Sequence, residues 1–251
     1  MYIQLSPSAE KPFAKIAVII PALNEEQAIG YVLTELLPNK LIYQVIVVDN
    51  GSSDLTSEIA RRAGAEVIFE PKRGYGAACL RGLSLIKPDI DIIVFLDGDY
   101  SDYPEEINLL TSPILNNFAD MVIGSRALGI KEKGSLTPQQ VFGNWLATRL
   151  IKLFWGFNYS DLGPFRAIRA KSLQQLKMQD HNFGWTVEMQ IKALKHQLKI
   201  QEVPVRYKKR LGTSKISGTL SGTIKAGAKI LYLIVKYGLT GFPAPPQTNV
   251  S

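Results

Sequence analysis

Four short aliphatic, β-branched runs constrain this chain most: "KIAVII" (15–20), "YQVIVVD" (43–49), "AEVIFE" (65–70) and "DIIVFLD" (91–97). Stretches of helical period separate them, over residues 25–37, 53–64 and 76–86. Consecutive strands of a parallel pair cannot be joined by a tight hairpin. They need a crossover, and a helical crossover is right-handed. The alternation therefore predicts an α/β fold with a mostly parallel, Rossmann-like sheet flanked by helices. "PEEINLLTSPI" (104–114) and "ADMVIGS" (119–125) add one more helix and strand.

Beyond Ser125 the pattern loosens. Residues 126–138 have loop composition, and Pro138 is placed to open a helix over 139–156. Further helices are predicted over 187–197 and 219–239, with an extended segment over 198–207 between them. At 251 residues and 46% hydrophobic, the chain can bury one substantial core. Its single cysteine, Cys79, excludes a disulfide framework and fits a reducing, cytoplasmic setting. The first residues lack the pattern of a signal peptide and read as a short polar tail. No run reaches the ~18 apolar residues of a membrane span.

Charge divides the chain unevenly. Residues 1–140 carry a net −6 and residues 141–251 a net +13. A basic half points to an anionic partner. With only His181 and His196 beside Cys79, zinc spacing is absent, so any metal is a hard cation on oxygen ligands.

In a parallel sheet, ligands bind beyond the carboxyl ends of the strands. Three strand ends carry polar motifs: "PALNEE", "DNGSSD" and "DGDYSD". The fold brings Asp49, Asp97 and Asp99 to one crevice, where three carboxylates repel unless cations or hydrogen-bond donors offset them. Asp-Gly is also a turn dipeptide, so each motif has a purely local alternative.

"VIIPALNEE", "VIVVDNGSSDLT", "KRGYGAACLRGL", "FLDGDYSDYPEEI" and "VIGSR" occur in an order and spacing that resembles family 2 glycosyltransferases of the GT-A fold. The dolichyl- and polyprenyl-phosphate mannosyl or glucosyl synthases are the most similar, through "DLGPFRAIRAKSL" and "EVPVRYKKRLGTSKISGT", over roughly residues 15–238. The resemblance implies an inverting hexosyltransferase using a nucleotide-diphosphate sugar (a UDP- or GDP-sugar). Pro21, Ala22, Leu23 and Glu25 would hold base and ribose, and Asp49 would hydrogen-bond the base. Asp97 and Asp99 would hold Mg²⁺ or Mn²⁺, Gly98 would let the backbone approach the sugar, and Arg126 would contact the diphosphate or sugar. The synthases carry a glutamine where this chain has Ser101, which leaves the third metal position to Asp102 or water.

On the acceptor side, a hydroxyl needs a carboxylate base, whereas a phosphate arrives already anionic and needs cations. The basic half offers Arg166 of "GPFRAIR" to an acceptor phosphate, and the resemblance adds Arg210, Ser214 and Lys215, although the Arg210–Lys215 spacing is one residue shorter than in the synthases. Asp161 either orients Arg166 or serves as base for a hydroxyl acceptor, with Glu188 a second candidate base. The implied partner is a polyprenyl phosphate or another lipid acceptor, with peripheral contact at the cytoplasmic membrane face and no nucleic acid. The predicted organisation is a tail (1–14), a nucleotide-sugar-binding half (15–125), an acceptor-side half of the same domain (126–218), an amphipathic helix (219–240) and a terminal tail (241–251). The alternatives are transfer to a hydroxyl of a glycolipid or small glycoside, sugar-phosphate nucleotidyl transfer, and a non-catalytic anion- or lipid-binding module.

Overall fold

The structure, a computed structural model, describes residues 14–212 and 220–240, with only the backbone for 220–224. Ser214, Lys215 and the terminal tails lie outside the described residues. The β-rich half forms as its pattern predicts. β1 (Ile16–Ala22), β2 (Ile42–Asp49), β3 (Glu66–Phe69) and β4 (Ile92–Phe95) alternate with α1 (Ile29–Leu36), α2 (Thr56–Arg62) and α3 (Tyr75–Leu83). β1 pairs in parallel with both β2 and β4, and β2 with β3.

After β4, a 3-10 turn (Pro104–Glu106) leads into α4 (Ile107–Leu115) and β5 (Met121–Ser125). α5 (Pro138–Trp155) opens with Pro138 at its first position and a reciprocal cap between Thr137 and Gln140. Then come β6 (Arg166–Arg169), α6 (Ala170–Leu176), α7 (Trp185–Lys195), β7 (Ile200–Pro204) and α8 (Leu220–Leu239). The sheet order is β3-β2-β1-β4-β6-β5-β7, with β6 antiparallel to both neighbours.

β1 shows why the apolar runs lack alternation. Ala17 and Ile19 enter the core on one face of the sheet, while Ile16, Val18 and Ile20 enter that on the other. A strand covered by helices on both faces has no solvent side. β6 and α6 depart from the expected pattern. A four-residue strand with arginine at both ends carries too little apolar signal to register as sheet interior.

Candidate active site

Register places the first two strand ends side by side, with Ala22 of β1 opposite Asp49 of β2. The loops beyond them are stitched together by Asn24, which holds a positive φ of 53°. Its backbone N–H donates to Ser52 Oγ (3.0 Å), and its side-chain oxygen accepts from the Ser53 N–H (2.8 Å). Ala22 and Glu25 are buried, and Pro21 and Leu23 half-buried, along this wall. Asp49 accepts from the backbone of Gly51 (3.1 Å) and Ser52 (2.7 Å) and from the Ser57 hydroxyl (2.5 Å). Burial opposes its ionisation, but these donors outweigh it and hold its pKa below the ordinary carboxylate value. Asp49 therefore organises its own turn as well as standing at the crevice.

The end of β4 carries the pair Asp97 and Asp99. Asp97 Oδ1 accepts from the Tyr75 hydroxyl at 3.0 Å. Burial and then the Asp99 charge push the Asp97 pKa up to about 6. Asp99 Oδ1 accepts from the Ser101 N–H (2.9 Å) and hydroxyl (2.5 Å). Asp99 Oδ2 faces Arg210 Nη1 at 3.2 Å, while Arg210 Nη2 donates to Glu25 Oε1 at 2.6 Å. Arg210 thus bridges the loop after β1 and the loop after β4. A Cβ added at Gly98 would meet no protein atom nearer than 3.4 Å, so internal packing does not demand glycine there.

Arg126, just past β5, donates to Asp161 through its backbone N–H, Nε and Nη2, each at 2.8 Å. Burial disfavours the Asp161 anion, yet Arg126 more than offsets this and lowers its pKa. Asp161 consequently orients Arg126, where the sequence suggested Arg166, and both its oxygens are engaged. Arg166 corrects the expectation more sharply. It is 0% exposed, and its guanidinium donates to backbone carbonyls of Leu162, Gly163 and Thr186. It shapes the turn carrying Asp161 and presents no surface to an acceptor. Glu188 is likewise structural, accepting from the Gln179 and Asp180 backbone and from Lys192.

The glycines of "RGYGAA" admit the start of α3 against residues 180–182: the Gly76 N–H donates to Asn182 O (3.2 Å) and that of Ala77 to His181 O (2.9 Å).

Three residues were missed or underweighted by sequence reasoning. Tyr75 and the supporting role of Ser101 become visible only through their contacts. Asp102 is 2% exposed, and both its carboxylate oxygens lack a hydrogen-bond partner. Burial and then the Asp97 charge raise its pKa well above the ordinary value.

The donor set fits a hard divalent cation: oxygen only, with two carboxylates close enough that the Asp99 charge helps raise the Asp97 pKa. Among the described residues no group of three His, Cys, Asp or Glu side chains is placed to hold one metal ion, so Asp102 does not complete a three-carboxylate site. Two carboxylates, with substrate phosphates and water filling the remaining positions, is the usual arrangement for Mg²⁺ in phosphate-handling sites.

Residues 17–177 match the family model described as glycosyl transferase family 2. An uncharacterized glycosyltransferase of Mycobacterium tuberculosis is 31% identical over 216 residues, covering 84% of this chain and 94% of that protein. A dolichyl-phosphate hexose transferase of Haloferax volcanii is 32% identical over 219 residues, covering 85% and 91%. Among solved structures, Mycobacterium tuberculosis glucosyl-3-phosphoglycerate synthase, in complex with Mn²⁺, UDP-glucose and phosphoglyceric acid, superposes with a TM-score of 0.73. It is 22% identical, with 93% of this chain and 82% of that one covered, and the likeness establishes the shared GT-A fold.

Proposed function

We propose, from the premise that this chain belongs to glycosyl transferase family 2, that it moves a sugar from a nucleotide-diphosphate sugar to a polyprenyl phosphate. The observation that carries this reading is the locked Asp161. The carboxylate best matched by sequence to a general base has a lowered pKa and spends both oxygens on Arg126. A phosphate acceptor needs no base. The Haloferax relative named for dolichyl phosphate supports the same acceptor class.

In this reaction an acceptor phosphate oxygen attacks the anomeric carbon, the bond from that carbon to the β-phosphate oxygen breaks, and a nucleoside diphosphate leaves with inversion. The loop after β1 and Asp49 hold the nucleoside. Arg126, fixed by Asp161, and Arg210 supply positive charge to two anionic reactants. Ser214 and Lys215 are assigned to the acceptor phosphate on sequence grounds. Asp97 and Asp99 would hold Mg²⁺ or Mn²⁺, and the bound cation would supply charge neutralisation to the leaving nucleoside diphosphate. Contact with the cytoplasmic membrane face is supported by the exposed apolar, basic surface of α5 and α8.

One observation favours a second reading. Asp102, buried and without a hydrogen-bond partner, is a carboxyl in reserve, and a hydroxyl acceptor needs one. The deciding experiment screens UDP- and GDP-sugars with Mn²⁺ for thermal stabilisation, then supplies the hit with undecaprenyl or dolichyl phosphate. Glycosyl phosphoryl polyprenol and nucleoside diphosphate are the expected products, and Asp102→Asn should retain at least half the turnover. Activity only on hydroxyl acceptors, abolished by Asp102→Asn, would establish the second reading. Pyrophosphate release would identify a nucleotidyltransferase, and no shift with any donor would leave a non-catalytic binding module.

A further inference from the structure

The two carboxylates of the proposed metal pair are steadied by different hands. Asp99 is held by Ser101 and Arg210. For Asp97, the hydrogen bond from Tyr75 is the one given by a described side chain. We propose that Tyr75 is a positioning residue for Asp97, fixing its rotamer through Oδ1 and reserving Oδ2 for the divalent cation. The inference rests on the reading that Asp97 and Asp99 bind the metal.

Tyr75 can do this because its own backbone is clamped. It is the first residue of α3, between Gly74 (φ +142°) and Gly76. A Cβ on Gly74 would stand 2.2 Å from His181 O, and one on Gly76 2.0 Å from Asp180 O. Only glycine permits so close an approach, and the segment at 180–182 is in turn tied down. Asp180 accepts from the Asn182 (2.8 Å) and Gly184 (3.0 Å) N–H groups and pairs with Lys229 of α8 (2.9 Å). The phenol therefore projects toward Asp97 from a backbone with little freedom. A hydrogen bond that orients a ligating carboxylate typically changes metal affinity 10–100-fold when removed.

Tyr75→Phe removes one oxygen and keeps the ring. Mn²⁺ binding to the full chain, followed by loss of the free-ion electron paramagnetic resonance signal, should weaken about tenfold. The melting temperature without metal should stay within about 2 °C. If the reaction proceeds, the variant's turnover should recover at raised Mn²⁺, a rescue that a packing defect would not show. An unchanged Mn²⁺ affinity would overturn the proposal, as would a large loss of melting temperature without any change in Mn²⁺ affinity. Asp99→Asn is the control. If the unaltered protein and Asp99→Asn bind Mn²⁺ equally, the metal reading fails and this proposal with it; if only they differ while Tyr75→Phe matches the unaltered protein, the role of Tyr75 alone is rejected.

Discussion

Arg210 sits with one nitrogen on Asp99 Oδ2 and another on Glu25 Oε1, so it neutralises a carboxylate that the proposed cation also needs. Metal and guanidinium then compete for one oxygen, and the arginine is free for the diphosphate or acceptor phosphate once the metal arrives. Arg210→Met should raise affinity for Mn²⁺ alone by roughly fivefold, the scale of about 1 kcal/mol for a partly screened charge pair. Turnover should fall at least tenfold in the same variant, because the anionic reactants lose a cation. Titration of Mn²⁺ without nucleotide checks the first half; a drop in that affinity would show that Arg210 helps assemble the metal site. Sequence could nominate Arg210 as a phosphate ligand, yet its pairing with a residue 185 positions away belongs to the fold. The same holds for Ser101. It looked like a missing metal ligand, and the structure makes it the support of Asp99.

At the scale of elements, β1, β2, β4 and β5 were legible because a doubly covered sheet demands aliphatic runs, and these are rare by chance. The edge strands β3 and β7 are only half-buried and were read from short β-branched, extended segments. β6 was not legible. Its "RAIR" reads as a basic loop until Arg166 is seen to point inward, with its charge spread over main-chain carbonyls. Burial lowers the Arg166 pKa only to about 10, so it remains charged at neutral pH. Arg166→Met should cost about 2–4 kcal/mol, since buried carbonyls of Leu162, Gly163 and Thr186 lose their donor together. Denaturant unfolding measures this directly. The acceptor KM of the folded fraction should change less than threefold. Intact stability with a tenfold rise in acceptor KM would instead restore the phosphate-binding role first inferred for Arg166.

Across the whole molecule, the question is what the basic half faces. α5 and α8 pack on each other: a Cβ at Gly238 would lie 2.5 Å from the Phe154 ring. Ala147 and Ile151 of α5 and Leu233 and Ile234 of α8 enter the core. The apolar side of this amphipathic helix is therefore partly core. Outward, α5 presents Phe142 (61% exposed) and Trp145 (51%), with ring centroids 5.8 Å apart, beside Val141 and Leu153. α8 adds exposed Tyr232, Val235 and Leu239. Neither helix contains an acidic residue, and both carry exposed cations, Arg149, Lys152, Lys225 and Lys236. No described helix is long and apolar enough to cross a membrane. An aromatic, basic face of this kind suits the headgroup layer, where each cation contributes about 1 kcal/mol against anionic lipid. Co-sedimentation should therefore show at least tenfold more binding to phosphatidylglycerol vesicles than to phosphatidylcholine vesicles at low salt. Phe142→Ser with Trp145→Ser should reduce that binding about tenfold, since two large apolar side chains no longer leave water. Metal-dependent binding of the nucleotide should be unaffected, because both side chains are largely exposed on α5. Equal binding to both vesicle types would remove the electrostatic part of this argument. Full retention by the double variant would move the contact away from α5 and leave α8 as the face to test.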